Sequence, residues 1–170
     1  MRRIAILAPV AALAVAACSS TPPVATTPQP AAETVAVSVG PCFGFCPVYD
    51  VAIAPDGEVV FIGQRHTAVV GERRRAAGLS TYRSVLRDLA PFRPATGGEA
   101  AIACDAAISD TSSYTITWTE ASGRRTVAMH HSGCTGGPGH DLDFVLRSLP
   151  DRLGIAGWAK QVTRPGASRG

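Results

Sequence analysis

The chain has 170 residues, 46% of them hydrophobic and 17% charged, with a formal charge of +3. Once a leader and a linker are set aside, that length suits one domain with a substantial core and is too short for two. Arg2 and Arg3 lie in the leader, so their removal takes the charge to +1, and the near-neutral remainder excludes a nucleic-acid binder, which needs a dense basic face.

Residues 1–17, MRRIAILAPVAALAVAA, place two arginines before a short apolar run ending in small residues, the pattern of an export signal peptide. The run is too short to span a bilayer comfortably. Val15-Ala16-Ala17-Cys18 resembles the lipobox of bacterial lipoproteins, which implies that the Cys18 thiol receives a diacylglycerol and that the leader is cut at its amino side. Ser19, rather than aspartate, follows; by the bacterial sorting rule this implies an outer-membrane lipoprotein, with the domain facing the periplasm. Residues 18–33 are rich in Pro, Thr and Ala, with almost no charge and no periodicity, and form an extended tether.

The domain is expected over residues 34–158. Val35, Val37 and Val39 alternate with small residues in a first strand that leads into Cys42-x-x-x-Cys46-Pro47. Tyr49, Val51 and Ile53 then alternate with Asp50, Ala52 and Ala54, and Pro55-Asp56-Gly57 reverses the chain. A glycine bulge at Gly57 puts Val59 and Phe61 on the face of Tyr49, Val51 and Ile53, whereas a tight two-residue turn would present Val60 and Ile62 there. The bulged turn is expected, because it collects both aromatics. Cys42-x-x-x-Cys46-Pro47-x-Tyr49, followed by Asp56-Gly57, Val59, Phe61 and Gly63, resembles a domain-of-unknown-function family of bacterial envelope proteins, over about residues 35–158. The resemblance implies location and fold only, since that family has no assigned activity.

Residues 66–70 read as a further short strand, and residues 71–78, with Arg73-Arg74-Arg75 beside Glu72, as a charged, solvated loop. Ser80 is a good N-cap for an amphipathic helix in which Tyr82, Val85, Leu86 and Leu89 share one stripe before Pro91 ends it. Gly97-Gly98 marks a loop. Residues 113–120 and 124–131 form a second hairpin, and a turn at Ser122-Gly123 sets Trp118 against Val127, Ile116 against Met129 and Tyr114 against His131. Thr115, Thr117, Thr119, Thr126 and Ala128 then fall on the other side. After a glycine-rich loop around Cys134, Asp141 can cap a helix carrying Leu142, Val145, Leu146 and Leu149, which Pro150 breaks or kinks. Leu153, Ile155 and Trp158 pack the end of the chain back, and residues 159–170 are expected to fray as a flexible tail. The sum is an α+β fold: a largely antiparallel sheet built from two hairpins and packed against two main helices.

Of five cysteines, four remain once Cys18 is lipidated, and an even number in an oxidising compartment reads as two disulfides. Three pairings are possible. Cys42 with Cys46 and Cys104 with Cys134 is the choice in which each pair brackets its own local unit. On the chain-entropy account these bridges close loops of about 5 and about 31 residues, worth ~2 and ~3.7 kcal/mol.

Cys-x-x-x-Cys-Pro also resembles the motif of copper-delivering thioredoxin-like proteins, but that chemistry needs the cysteines at a helix mouth, and here a strand-like run follows. Met129-His130-His131, Cys134 and His140 form a ligand-rich stretch suited to copper or zinc, yet adjacent histidines on a strand point to opposite faces. Asp141 and Asp143 are explained as a helix cap and a first-turn carboxylate. Ser112 and Ser113 lack the setting of a nucleophile elbow, and the loop 133–139 lacks the lysine of a phosphate loop. No catalytic residue, metal site or cofactor is therefore assigned. The sequence supports a lipid-anchored envelope protein with a non-catalytic binding or structural domain, its partner an unidentified envelope protein or ligand besides the membrane. The alternative is a thiol-disulfide or copper-handling periplasmic protein using Cys42 and Cys46.

Overall fold

The computed structural model describes residues 32–162, so the leader, Cys18, the tether up to residue 31 and residues 163–170 lie outside it, while Glu33, expected at the end of the tether, is the first residue of a strand. Seven strands form one sheet: β1 (Glu33–Val39), β2 (Val48–Ile53), β3 (Glu58–Arg65), β4 (Gly71–Ala76), β5 (Glu99–Ala101), β6 (Ser113–Glu120) and β7 (Arg125–His131). Their order across the sheet is β4-β3-β2-β1-β6-β7-β5, antiparallel throughout except where β5 lies parallel to β7. Helices α1 (Leu79–Leu89), α2 (Pro138–Arg152) and the single turn α3 (Ala156–Ala159) complete an α+β fold.

β1 sits between the two hairpins because its valines alternate, so that Val35, Val37 and Val39 all enter the core while Ala36 and Ser38 face away. In the first hairpin Gly57, at φ 85°, follows a turn closed by the Gly57 amide on the Ala54 carbonyl, and Ile53 stands opposite Val59 and Val51 opposite Phe61. This is the bulged turn expected from Pro55-Asp56-Gly57. Val59 and Phe61 are completely buried, each such burial being worth about 1.5–3 kcal/mol. Gly57 is required for a second reason: its carbonyl accepts from the Ala77 and Gly78 amides, and a Cβ would strike the Gly78 backbone where α1 begins.

The second hairpin differs from its expected register by one residue. Gly123, also at φ 85°, closes a three-residue loop in which its amide bonds the Glu120 carbonyl, so this turn too is bulged. Tyr114 therefore faces His130, Ile116 faces Ala128 and Trp118 faces Thr126. The side chains of Ala128, Thr126 and His130 are buried, while Val127 is only half-buried and Met129 is exposed on the other face. Val51, Ile53, Phe61, Ile116 and Trp118 are core residues; Val127, expected with them, is not.

Residues 66–70 and 71–78 exchange roles relative to expectation. The first is a turn, with His66 at φ 62°, and the arginine-rich stretch pairs with β3 as an edge strand. Arg74 lies 3.3 Å from Glu58 and 2.6 Å from Glu72, and an edge lined with charge resists pairing with another chain. Neither helix uses its expected cap: Gly78 and Gly137 precede α1 and α2, Ser80 and Asp141 lie within the first turns, and Pro138 starts α2, where a missing amide costs nothing. Pro150 does not break α2: it lies inside the helix, which runs on to Arg152. Leu153 and Ile155 are buried as expected. The chain stays attached past residue 158, for Gln161 bridges to Thr67 and the Val162 amide donates to the His66 carbonyl.

Candidate functional site

Cys42 and Cys46 are joined, with their Cα atoms 5.7 Å apart, and Cys104 is joined to Cys134. The first bridge makes a small ring at the tip between β1 and β2. The Gly44 amide bonds the Cys42 carbonyl across it, and the Phe43 amide bonds Asp110 on the neighbouring loop. Phe43 is 89% exposed, and Phe45 meets His66 edge-on at 5.3 Å. Cys46-Pro47 runs straight into β2, so no helix begins at the pair and no helix dipole is available to stabilise a thiolate.

Just inside this tip the register aligns Tyr49 of β2, Val39 of β1, Tyr114 of β6 and His130 of β7 in one row on the face that the helices cover. Asp143 and, at i+3, i+4 and i+7 from it on α2, Leu146, Arg147 and Pro150 lie along the row. At one end His130 donates from Nε2 to Asp143 Oδ1 at 2.8 Å, and Asp143 Oδ2 accepts from the amides of Gly133 and Cys134 at 2.8 and 3.0 Å. Both side chains are buried, and His130 Nδ1 has no hydrogen-bond partner among the described residues. Gly139 lets α2 come this close, since a Cβ there would lie 2.6 Å from the Cys134 sulfur and 3.1 Å from the His130 ring.

Asp143 is thus not the first-turn carboxylate expected of it: α2 begins at Pro138, which puts Asp141 in the first turn and Asp143 beyond it, buried. It is the acceptor that fastens β7 and the loop after it to α2. Ligand-capable atoms of His130, Cys134 and Asp143 lie within 4.8 Å of one another. The sulfur is committed to its disulfide and the carboxylate to three donors, so the set has the chemistry of a closed hydrogen-bonded knot, not of an open coordination site. The other histidines are elsewhere: His131 is exposed, and His140 donates from Nδ1 to the Cys134 carbonyl at 2.8 Å. His130, His131, Cys134 and His140 therefore do not converge. Asp143 could not be singled out without the correct register of β7. The available signal was Gly123, whose place in Ala121-Ser122-Gly123 matches that of Gly57 in Pro55-Asp56-Gly57.

The other end of the row opens into a cleft of ≈310 Å³, between the Cys46-Pro47 segment, the ends of β1, β2 and β6, and helices α2 and α3. Val39, Leu146, Pro150 and Ala159 give it apolar walls, and Tyr49, Tyr114, Arg147 and Lys160 also line it. Burial raises the Tyr49 phenol above its ordinary range, with Tyr114 adding to the shift. Tyr114 is raised too, first by burial and then by Asp143, against a smaller opposing pull from Arg147.

Tyr82, whose hydroxyl donates to the Glu33 carbonyl at 2.6 Å, is likewise raised by burial. All three phenols hold their protons in the fold at pH values where the unfolded chain has begun to release them. The stability they contribute is complete below the unfolded value of 10.0 and is lost as pH rises through the folded values. The thermal midpoint should therefore fall steeply above pH ~10, and Tyr49→Phe should blunt that fall, as measured by melts across alkaline buffers. An alkaline limb unchanged in Tyr49→Phe would show that Tyr49 ionises freely.

A family model described as a domain of unknown function, DUF6438, matches residues 33–145. The match begins at the first residue of β1 and takes in both hairpins, α1 and the Tyr49, Tyr114, His130 and Asp143 positions; it stops within α2, before Arg147 and Lys160. No curated protein matches the chain.

Proposed function

The chain belongs to the DUF6438 family, a domain of unknown function, and from that premise we propose that it is a lipid-anchored cell-envelope protein whose folded domain binds rather than catalyses. The anchor rests on the lipobox-like Val15-Ala16-Ala17-Cys18, and two disulfides suit an oxidising compartment outside the cytosol. The binding half rests on one observation: Phe43 is held 89% exposed on a disulfide-closed ring whose Cys46-Pro47 limb forms the wall of the cleft. A lone exposed apolar residue is ordinary, but one fixed on a cross-linked tip beside an apolar recess is pre-organised for contact. The buried His130–Asp143 pair is used up in holding β7 to α2, and it offers the cleft no acid or base.

The anchor is tested by Cys18→Ala. The native protein should sediment with membranes and migrate as the processed, acylated form, whereas the variant should stay unprocessed at this site and incorporate no labelled fatty acid. Unchanged membrane association and mobility in the variant would refute the anchor.

A further inference from the structure

We propose that the cleft beside the Cys42–Cys46 ring is a binding site for an oxyanion headgroup carried on a short apolar body. This rests on the reading of the domain as a binding module and names the chemistry of what it takes. The first observation is an imbalance of charge. Arg147 and Lys160 both reach the cleft, and among the described residues neither has a carboxylate within ion-pair distance. Of the acids one helical turn from Arg147, Asp143 has its oxygens committed to His130 and to two backbone amides, and Asp151 makes no ion pair with Arg147 and is not in the lining of the cleft. An unpaired surface arginine means little by itself; two cationic residues in the lining of one recess, with no carboxylate residue in that lining, leave a site that an anion would complete.

The second observation concerns donors. Tyr49 and Tyr114 flank Val39 in the same row of the sheet, and among the described residues neither hydroxyl has a hydrogen-bond partner. Both phenols stay protonated, so each has an O–H to give. The Arg147 guanidinium lies 4.6 Å from the Phe144 ring, a contact that limits its swing without using up its fork of donors.

The third observation is the distribution of polarity with depth. Val39, Tyr49, Leu146 and Ala159 are buried in its lining, Pro150 is half-buried, and Arg147 and Lys160 are exposed. A ligand would enter apolar end first and leave its oxyanion between the two cations and the Tyr114 hydroxyl. The volume, ≈310 Å³, is at the small end of ligand sites and admits a body of a few carbons rather than a long chain.

Calorimetric titration of the purified protein with heptanoate, hexyl phosphate, hexanol and hexyltrimethylammonium tests this, because the four probes share one hexyl body and differ in headgroup. At least one of the two anions should bind at a single site, at least ~10-fold more tightly than hexanol, with no binding of the cation; comparison of the two anions separates carboxylate from phosphate. Arg147→Gln should weaken the anion by ~10-fold or more, and Tyr114→Phe by a smaller factor, with the circular dichroism of both variants unchanged. Anions that bind no better than hexanol would overturn the inference while leaving the cleft as an apolar binding site. Failure of all four probes, or anion affinity indifferent to Arg147→Gln, would overturn it outright.

Discussion

Asp143→Ala should destabilise the domain by about 3–5 kcal/mol, lowering its thermal midpoint by roughly 10–20 °C. The carboxylate accepts from three donors at once, the His130 ring and the amides of Gly133 and Cys134, in a region where Asp143 is only 4% exposed. Alanine removes all three acceptor contacts and leaves the donors buried, and each unsatisfied donor costs about 1–3 kcal/mol unless water reaches it. The isosteric amide separates these contacts. In Asp143→Asn the amide oxygen can still accept from the two backbone groups, but the amide nitrogen can only donate toward His130, which must then move its proton to the unpartnered Nδ1. That variant should recover about half of the loss. Urea unfolding with an unchanged denaturant slope measures both; a loss below about 1 kcal/mol in Asp143→Ala would mean that α2 and β7 are not joined through this group.

The first hairpin was legible because three signals agreed: alternation in residues 49–53, Pro55-Asp56-Gly57, and two aromatics that only one register gathers. The second offered the same turn with less punctuation, since Ala121-Ser122-Gly123 reads equally well as a two-residue Ser-Gly turn. Threonines on both of its strands fit either face, so nothing in composition corrected the slip. That one-residue difference hid the candidate site, for it moved His131 into the row that His130 occupies and left Asp143 without a buried partner. β4 was hidden differently. Its sequence, Gly-Glu-Arg-Arg-Arg-Ala, has no apolar period, and it is a strand because β3 offers it an open edge to pair with, the exposed Arg74–Glu58 pair adding little. Arg147 was an ordinary helix arginine until the fold placed Tyr114 and Lys160 around the same recess.

The two disulfides should differ in what they hold. Cys104→Ala combined with Cys134→Ala is expected to cost about 3.7 kcal/mol, and Cys42→Ala combined with Cys46→Ala about 2 kcal/mol, on the loop lengths alone. The larger effect belongs to a bridge that ties the segment before β6 to the loop entering α2, alongside the Ala107–Cys134 backbone bridge. Alanine at residue 134 keeps the amide that Asp143 needs and the carbonyl that His140 needs, so this pair of substitutions isolates the cross-link from the knot around it. The smaller effect belongs to the exposed ring, where opening the bridge should leave the core intact while freeing Phe43. A redox or copper centre would behave otherwise, because it must be easily reduced and must hold an accessible, stabilised thiolate. Cys46 passes directly into β2 through Pro47, with no helix beginning at the pair. Alkylation of the native protein is therefore expected to label none of Cys42, Cys46, Cys104 and Cys134 until strong reductant or denaturant is added. A reduction potential near those of catalytic dithiols, or tight stoichiometric copper lost in Cys42→Ala, would instead make the ring a centre of exchange chemistry.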